Sequence, residues 1–297
     1  MQSQAIDTSK LTDGLTRLRG DRQQPPAAAI ITPVNAQADL GNVQRLLSDI
    51  VAYRGRHSFE VILVINNYPA DDPPAELAAF ERMGAQVVGV PNLRRPGEAV
   101  GFTARMYGLR AASCEPAILF DADCRVPNAS ALLDWYVAQF AAGAQTAYTH
   151  VDYYDLIDDW SIRARVLVHH LSRWGKRTLL GVPTTRGSNY AVARTFTLAL
   201  YEQGYLADEM NVGPTVKAKG GRVVYSGARE LRVLTSGRYL RGGWRELTRY
   251  LLYRLRYNLR VLPVRRNVAG RTKRQHTDAF YALFTDQPSK QGDSAQQ

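Results

Sequence analysis

The chain has 297 residues, 45% of them apolar, and a formal net charge of +11. That length carries a real core, in one large α/β domain or two small ones. Two cysteines, Cys114 and Cys124, build no disulfide framework and point to a reducing compartment; no apolar leader opens the chain, and no stretch approaches the roughly 18 uncharged residues of a membrane span.

The positive charge, which admits nucleic acid, anionic membrane or phosphorylated substrates as partners, is local. Arg232 to Arg274 holds 13 Lys/Arg against one acid, Glu246, and the rest of the chain is close to neutral. Residues 1–26 are polar and aperiodic, and read as a mobile arm with one helical turn around Leu11 to Leu18. Ala27 to Thr32 is a short buried strand broken by Pro33-Val34-Asn35. Asp39 can cap a helix with Val43, Leu46, Leu47 and Ile50 on one face. Val61 to Ile65 is a second strand, Glu76 to Met83 a helix, Gln86 to Val90 a third strand, and Gly97 to Ala112 contains a helix. This alternation predicts a doubly wound, mostly parallel sheet.

The run Ala117-Ile118-Leu119-Phe120 enters Asp121-Ala122-Asp123. A short apolar run ending in a polar turn reads as a buried parallel strand. Ligands of open α/β sheets bind past the carboxyl ends of the strands, which places both carboxylates at the crevice. Two neighbouring carboxylates repel unless something positive sits between or beside them, and hard divalent cations bridge carboxylates to diphosphates, so the pair reads either as a metal–diphosphate site or as a solvated acidic turn. The second half continues with helices at 132–140 and 162–174 and a strand at Thr146 to Val151. Arg186-Gly187-Ser188-Asn189 then interrupts the pattern before a helix ending near Gln203. Asp208-Glu209 precedes a short helix that tolerates Pro214 only in its first turn. Val223 to Tyr225 is a strand. From Trp244, leucines spaced by three and four alternate with arginines in a basic amphipathic helix ended by Pro263.

Thr32-Pro33-Val34-Asn35, Asn66-Asn67, Asp121-Ala122-Asp123, Gly187-Ser188-Asn189-x-Ala191-x-x-Arg194 and Asp208-Glu209, in that order, resemble a soluble, non-processive GT-A fold glycosyltransferase of family 2. Thr235-Ser236-Gly237-Arg238 is similar to a further stretch of that family. The resemblance implies a Rossmann-like, mostly parallel sheet flanked by helices. It implies transfer of one sugar from a nucleoside-diphosphate sugar to an acceptor hydroxyl, with inversion. It implies Mn2+ or Mg2+ held by Asp121 and Asp123, with Asp121 nearer the ribose or a metal water. Thr32, Pro33, Asn35 and Asn66 would contact the nucleotide, Arg105 and Arg238 the diphosphate, and Gly187, Ser188 and Asn189 the acceptor. Glu209 would be the base, with Asp208 as its neighbour. Asn66 replaces the usual Asp and Asn35-Ala36-Gln37 the usual Tyr-Asn-Glu, which leaves uracil or guanine open as the donor base; an amide donates and accepts, whereas a carboxylate only accepts.

The expected organisation is an arm (1–26), a catalytic domain (27–240, its nucleotide half 27–125 and acceptor half 126–240), a basic helical extension (241–284) and a disordered tail (285–297). The extension has two readings: residues 244–274 lie on an anionic membrane, with a glycan or lipid-linked acceptor and a cytoplasmic, peripheral location, or the leucine stripe packs on the domain. No nucleic-acid module is visible. His150, His169 and His170 have no metal-ligand spacing and read as packing or surface residues. Tyr148, Tyr153, Tyr154 and Trp160 are core aromatics or a sugar-stacking wall. The competing functions are a sugar-phosphate nucleotidyltransferase, for which the Gly-rich loop after the first strand is missing, and a non-catalytic, membrane-associated binding protein.

Overall fold

The structure, a computed structural model, describes residues 8–261 apart from 22, 92, 94–98, 207 and 242. Its centre is a seven-stranded sheet. β1 (Ala28–Asn35), β2 (Phe59–Asn66), β3 (Gln86–Val90) and β4 (Ala117–Leu119) run parallel, β7 (Tyr190–Val192) is antiparallel, and β5 (Thr146–Thr149) pairs in parallel with β8 (Val223–Ser226). The spatial order is β3-β2-β1-β4-β7-β5-β8. A second, two-stranded sheet joins β6 (Val151–Tyr153) to β9 (Val233–Thr235) in parallel.

One sheet face buries against α2 (Leu40–Ile50), α3 (Glu76–Met83) and α5 (Ala129–Ala141) through Val43, Leu47, Phe80 and Leu133; the other packs α4 (Val100–Ala111), α7 (Arg194–Glu202) and α8 (Glu209–Ala218) through Phe102, Leu109, Tyr201 and Val216. The α/β alternation and the sheet flanked by helices agree with the sequence expectation.

Several elements depart from it. Thr8–Arg19, expected as an arm with one helical turn, is a 12-residue helix, α1, that buries Leu11, Leu15 and Leu18 in the same core as Phe80 and Met83. Their spacing of four and three puts all three on one face, enough to hold a helix in a polar context. β1 continues through Pro33. Ala29 and Ile31 hydrogen-bond toward β4, so Pro33 points to that side as well, where β4 has already ended. Its missing N–H therefore costs no ladder bond. The predicted strand 146–151 is two strands in two sheets with His150 at the break, and Tyr190–Val192, expected only as an interruption, is a central strand.

Pro214 lies in the second turn of α8, not the first. The Thr185 hydroxyl enters the ladder just before it, donating to the Glu209 carbonyl at 2.8 Å and accepting from the Gly213 N–H at 3.1 Å. A side-chain hydroxyl thus replaces one backbone bond and accommodates the irregularity.

α6 (Trp160–Thr178) reverses the usual pattern of a surface helix. It buries Ile162, Arg165, His169 and Arg173 and exposes Trp160, Leu167, Leu171 and Trp174. In α10 (Trp244–Val261), Leu247 is buried while Trp244, Arg245 and Arg249 are exposed, so the stripe packs on the body in its first turn. Leu251 is half-buried; the stripe from Leu255 on and the tail from 262 lie outside the residues whose side chains are described. No described helix is long and apolar enough to cross a membrane.

Candidate active site

β4 delivers Asp121 and Asp123 just past its last residue, Leu119. One ligand atom from each of Asp121, Asp123 and Cys124 lies within 4.8 Å of the others. The Cys124 thiol is buried, donates to the Ser188 carbonyl at 3.2 Å, and is pushed well above its usual range by burial and by the two aspartates. Burial and this hydrogen bond set it apart from the two more open carboxylates. The remaining donors are carboxylate oxygens, the chemistry of a hard divalent cation.

Arg105, 2% exposed, reaches Asp121 from α4 and also donates to the Gly187 carbonyl at 3.1 Å. Burial opposes its charge, but Asp121, with Tyr190 and Glu209, holds the guanidinium more firmly protonated than usual. Burial also lifts the Asp121 carboxyl above the usual carboxylate range; Arg105 offsets part of this, while Glu209 and Asp39 add to it. Arg105 therefore positions Asp121 instead of waiting free for a diphosphate. Gly187 leaves room for this pair: a Cβ there would sit 2.7 Å from the Arg105 guanidinium and 3.0 Å from Asp121 Oδ1, and the two side-chain ends would have to shift.

Glu209 opens α8 within electrostatic reach of Asp121, Arg105 and Tyr190. Asp208 has another task. It is the N-cap of α8, accepts from the Asn211 N–H at 3.0 Å and is 5% exposed. It holds the helix that presents Glu209.

The other expected site residues separate into those that reach the cleft side and those that do not. Thr32 is 2% exposed in the middle of β1, paired with Leu63, so its side chain belongs to the sheet. Asn189 is 1% exposed, accepting from Tyr136 and donating to Thr149, which makes it a buried strut and not an acceptor contact. Ser188 is also buried. Asn35, the last residue of β1, and Asn67, just past β2, join at 3.1 Å. Asn67 has a φ of 64°, a conformation asparagine tolerates. Asn66 is buried and its carbonyl accepts from Ala36 at 2.9 Å. Pro33 lies buried between them. Arg238 opens α9 (Arg238–Arg241), but its side chain lies outside the described residues; next to it, Asp155 accepts from Ser236 at 2.6 Å and from the Gly237 N–H at 2.7 Å.

Sequence reasoning missed Asp39 and Tyr190 as neighbours of these acids and named Tyr154 only as one of four aromatics. Asp39, read only as a cap, faces Asp121, and its carboxylate accepts from Asn42 at 3.1 Å. Tyr154 stands beside Asp123. The Tyr190 hydroxyl is buried without a hydrogen-bond partner among the described residues, next to Arg105, Glu209 and Asp121. The short apolar run Tyr190-Ala191-Val192 was the available signal. The suggested aromatic wall is dispersed: Tyr148 is core, with its hydroxyl accepting from Thr184 at 3.1 Å, and Trp160 is 77% exposed.

A parallel half-sheet joined to a mixed half, with acids past the fourth strand, is the GT-A fold. The chain resembles the mannosyltransferase PcManGT from Pyrobaculum calidifontis in complex with GDP-Man and Mn2+, at a TM-score of 0.52 and 16% identity, over 93% of this chain and 77% of that one. It also resembles GalNAc-T7 with UDP, GalNAc and Mn2+, at a TM-score of 0.51 and 16% identity, over 72% of this chain and 44% of that one. No family profile matches the sequence. No curated protein matches it either.

Proposed function

We propose that the chain is a glycosyltransferase that moves a single sugar, a hexose in the simplest case, from a nucleoside-diphosphate sugar to an acceptor hydroxyl with inversion. The observation that carries this reading is the meeting of Asp121, Asp123, Arg105 and Glu209 at one cleft. Both structural neighbours were solved with Mn2+ and with a nucleotide or nucleotide sugar, which supports the same cargo here. Asp121 and Asp123 would hold Mn2+ or Mg2+; bound there, the cation supplies charge neutralisation for the departing diphosphate. The acceptor oxygen attacks the anomeric carbon, the bond from that carbon to the diphosphate oxygen breaks, and Glu209 takes the acceptor proton. Asn35, Asn66 and Asn67 stand where the nucleobase edge would rest. Gly187 keeps the loop close enough for Arg105 to fix Asp121.

The experiment measures nucleotide binding by calorimetry and turnover with a panel of nucleotide sugars. Asp123→Ala is expected to abolish Mn2+-dependent nucleotide binding. Glu209→Gln should retain binding while turnover falls by roughly 10²–10⁴-fold. Equal activity in Glu209→Gln and the parent would overturn the role of the base, and nucleotide binding indifferent to metal would overturn the whole reading.

The proposal includes peripheral contact with an anionic membrane and a lipid-linked or membrane-proximal acceptor. The outward stripe Trp160, Leu167, Leu171 and Trp174 on α6 supports it, with Leu179, Leu180 and Trp244 also exposed and the arginines Arg245 and Arg249 suited to anionic headgroups. The contact is thus assigned to the α6 face together with α10, not to the α10 leucine stripe alone. Flotation with phosphatidylglycerol vesicles tests it: the full chain should float, and Leu171→Asp with Trp174→Asp should not.

A further inference from the structure

The inner face of α6 poses a problem of charge. Arg165, His169 and Arg173 point into the protein, and Arg165 and Arg173 are each 6% exposed. Arg165 is accounted for by the carbonyls of Ser161 and Leu240 at 3.2 and 2.5 Å. Arg173 is not. Its recorded bond is to the Val151 carbonyl at 3.4 Å, and its Nε is buried with no partner among the described residues. Arg186 faces it and meets Tyr153 and Tyr250 hydroxyls at 3.4 Å and His169 Nε2 at 2.7 Å. His169 Nδ1 in turn meets the Tyr153 hydroxyl at 2.9 Å. His150 and His170 stack at 4.9 Å beside the same arginines. The carboxylate facing the group is Asp152, 3.9 Å from His170. None of the hydrogen bonds or ion pairs of Arg173 and Arg186 among the described residues goes to a carboxylate.

A buried guanidinium normally has a carboxylate or a full set of carbonyls, because desolvating a charge costs several kcal/mol. Here burial, and then Arg186, pull Arg173 down to about 9, and burial with His150 and Arg173 pulls His170 down to about 4. The group lacks a counter-ion. It is not sealed, since His150, Tyr153, His170 and Arg186 are each partly exposed. It also adjoins the proposed transfer site: Arg186 directly precedes Gly187, which touches the Arg105–Asp121 pair.

We propose that Arg173 and Arg186, with His150 and His170, form a subsite for a phosphate group carried by the acceptor. Two guanidiniums offer forked donors suited to phosphate oxygens, and the imidazoles supply further donors as they protonate beside the anion. The inference rests on the transferase reading for the word acceptor, but the anion site itself does not. The acceptor is then a phosphorylated molecule whose hydroxyl lies within reach of Glu209 while its phosphate is held one residue beyond Gly187.

The test uses the full chain and inorganic phosphate as probe, read by thermal shift and by 31P NMR. Phosphate should raise the melting temperature of the parent and of Asp123→Ala alike, which separates this site from the metal cleft. Arg186→Gln should weaken phosphate binding roughly tenfold or more, and Arg186→Lys should keep part of it. Arg186 is half-buried, so this pair decides the matter even if Arg173→Gln fails to fold. In turnover, Arg186→Gln should raise acceptor KM by about the same factor with donor KM unchanged. Glycerol 3-phosphate in solution and phosphatidic acid in vesicles are then used as competitors: displacement by the first marks a soluble acceptor, by the second a lipid headgroup. No phosphate-dependent shift in the parent, a shift that survives Arg186→Gln, or competition by neither compound overturns the proposal. Loss of metal-dependent nucleotide binding in the parent would instead sink the transferase reading and leave the phosphate result standing.

Discussion

Two buried arginine groups flank the Arg186–Gly187 step and differ in what neutralises them. On one side Arg105 is held by Asp121, with Asp123 and Glu209 close by, so carboxylates outnumber guanidiniums. On the other, Arg173 and Arg186 face each other with tyrosines, histidines and a backbone carbonyl, and Asp152 meets His170 and the Tyr153 N–H but neither guanidinium. A fold that buries an excess of one sign recruits the other from outside. The first group calls for a cation and the second for an anion, and a phosphorylated acceptor beside a metal-bound nucleotide would satisfy both.

The strongest way to break this contrast is Arg105→Leu. It leaves Asp121 beside two other carboxylates without its guanidinium. Because Asp121 is itself part-exposed, the loss of stability should be about 2–3 kcal/mol, below the full cost of breaking a wholly buried pair. Urea denaturation measures it, and saturating Mn2+ should restore part of the loss; Arg173→Leu should cost less, because it removes a charge that has no partner. Thr185→Val comes next. It removes the hydroxyl bridging Glu209 and Gly213 and should cost about 1–2 kcal/mol. Since Glu209 begins that helix, kcat should fall while nucleotide affinity holds, as steady-state kinetics and calorimetry would register.

The smallest effect concerns pH. His170 is held at about 4 by burial first, then by His150 and Arg173, with Arg186 adding and Asp152 opposing. Its folded value lies below its unfolded one, so the unfolded chain binds the proton first as pH falls. The stability contributed by neutral His170 is therefore lost from about pH 6.5 downward to about pH 4, where the folded protein also protonates. Histidine NMR titration should find this, and phosphate should move the His170 midpoint upward. An unmoved midpoint would separate the histidines from the anion site.

The acids were legible because each stood at a recognisable punctuation of the chain: Asp121 and Asp123 after four apolar residues, Asp208-Glu209 before a helix. Their local signals also survive into the structure, where strand end and helix start are where they were expected. Asn189 and Thr32 were legible as motif members but not as buried struts, since a motif says nothing about which way a side chain faces. The arginine group could not be read at all. Arg173 and Arg186 are 13 residues apart in sequence, and an arginine on an amphipathic helix is normally taken as solvated.

What the sequence by itself determined is the alternation that makes the parallel half-sheet and the points where carboxylates leave it, because periodicity and turn residues act over a few neighbouring positions. Only the tertiary structure decided that α6 turns Arg165 and Arg173 inward and Trp160, Leu167, Leu171 and Trp174 outward. Burying a charged face costs free energy that no local pattern encodes; it depends on what β6, α10 and the 186 loop bring to meet it.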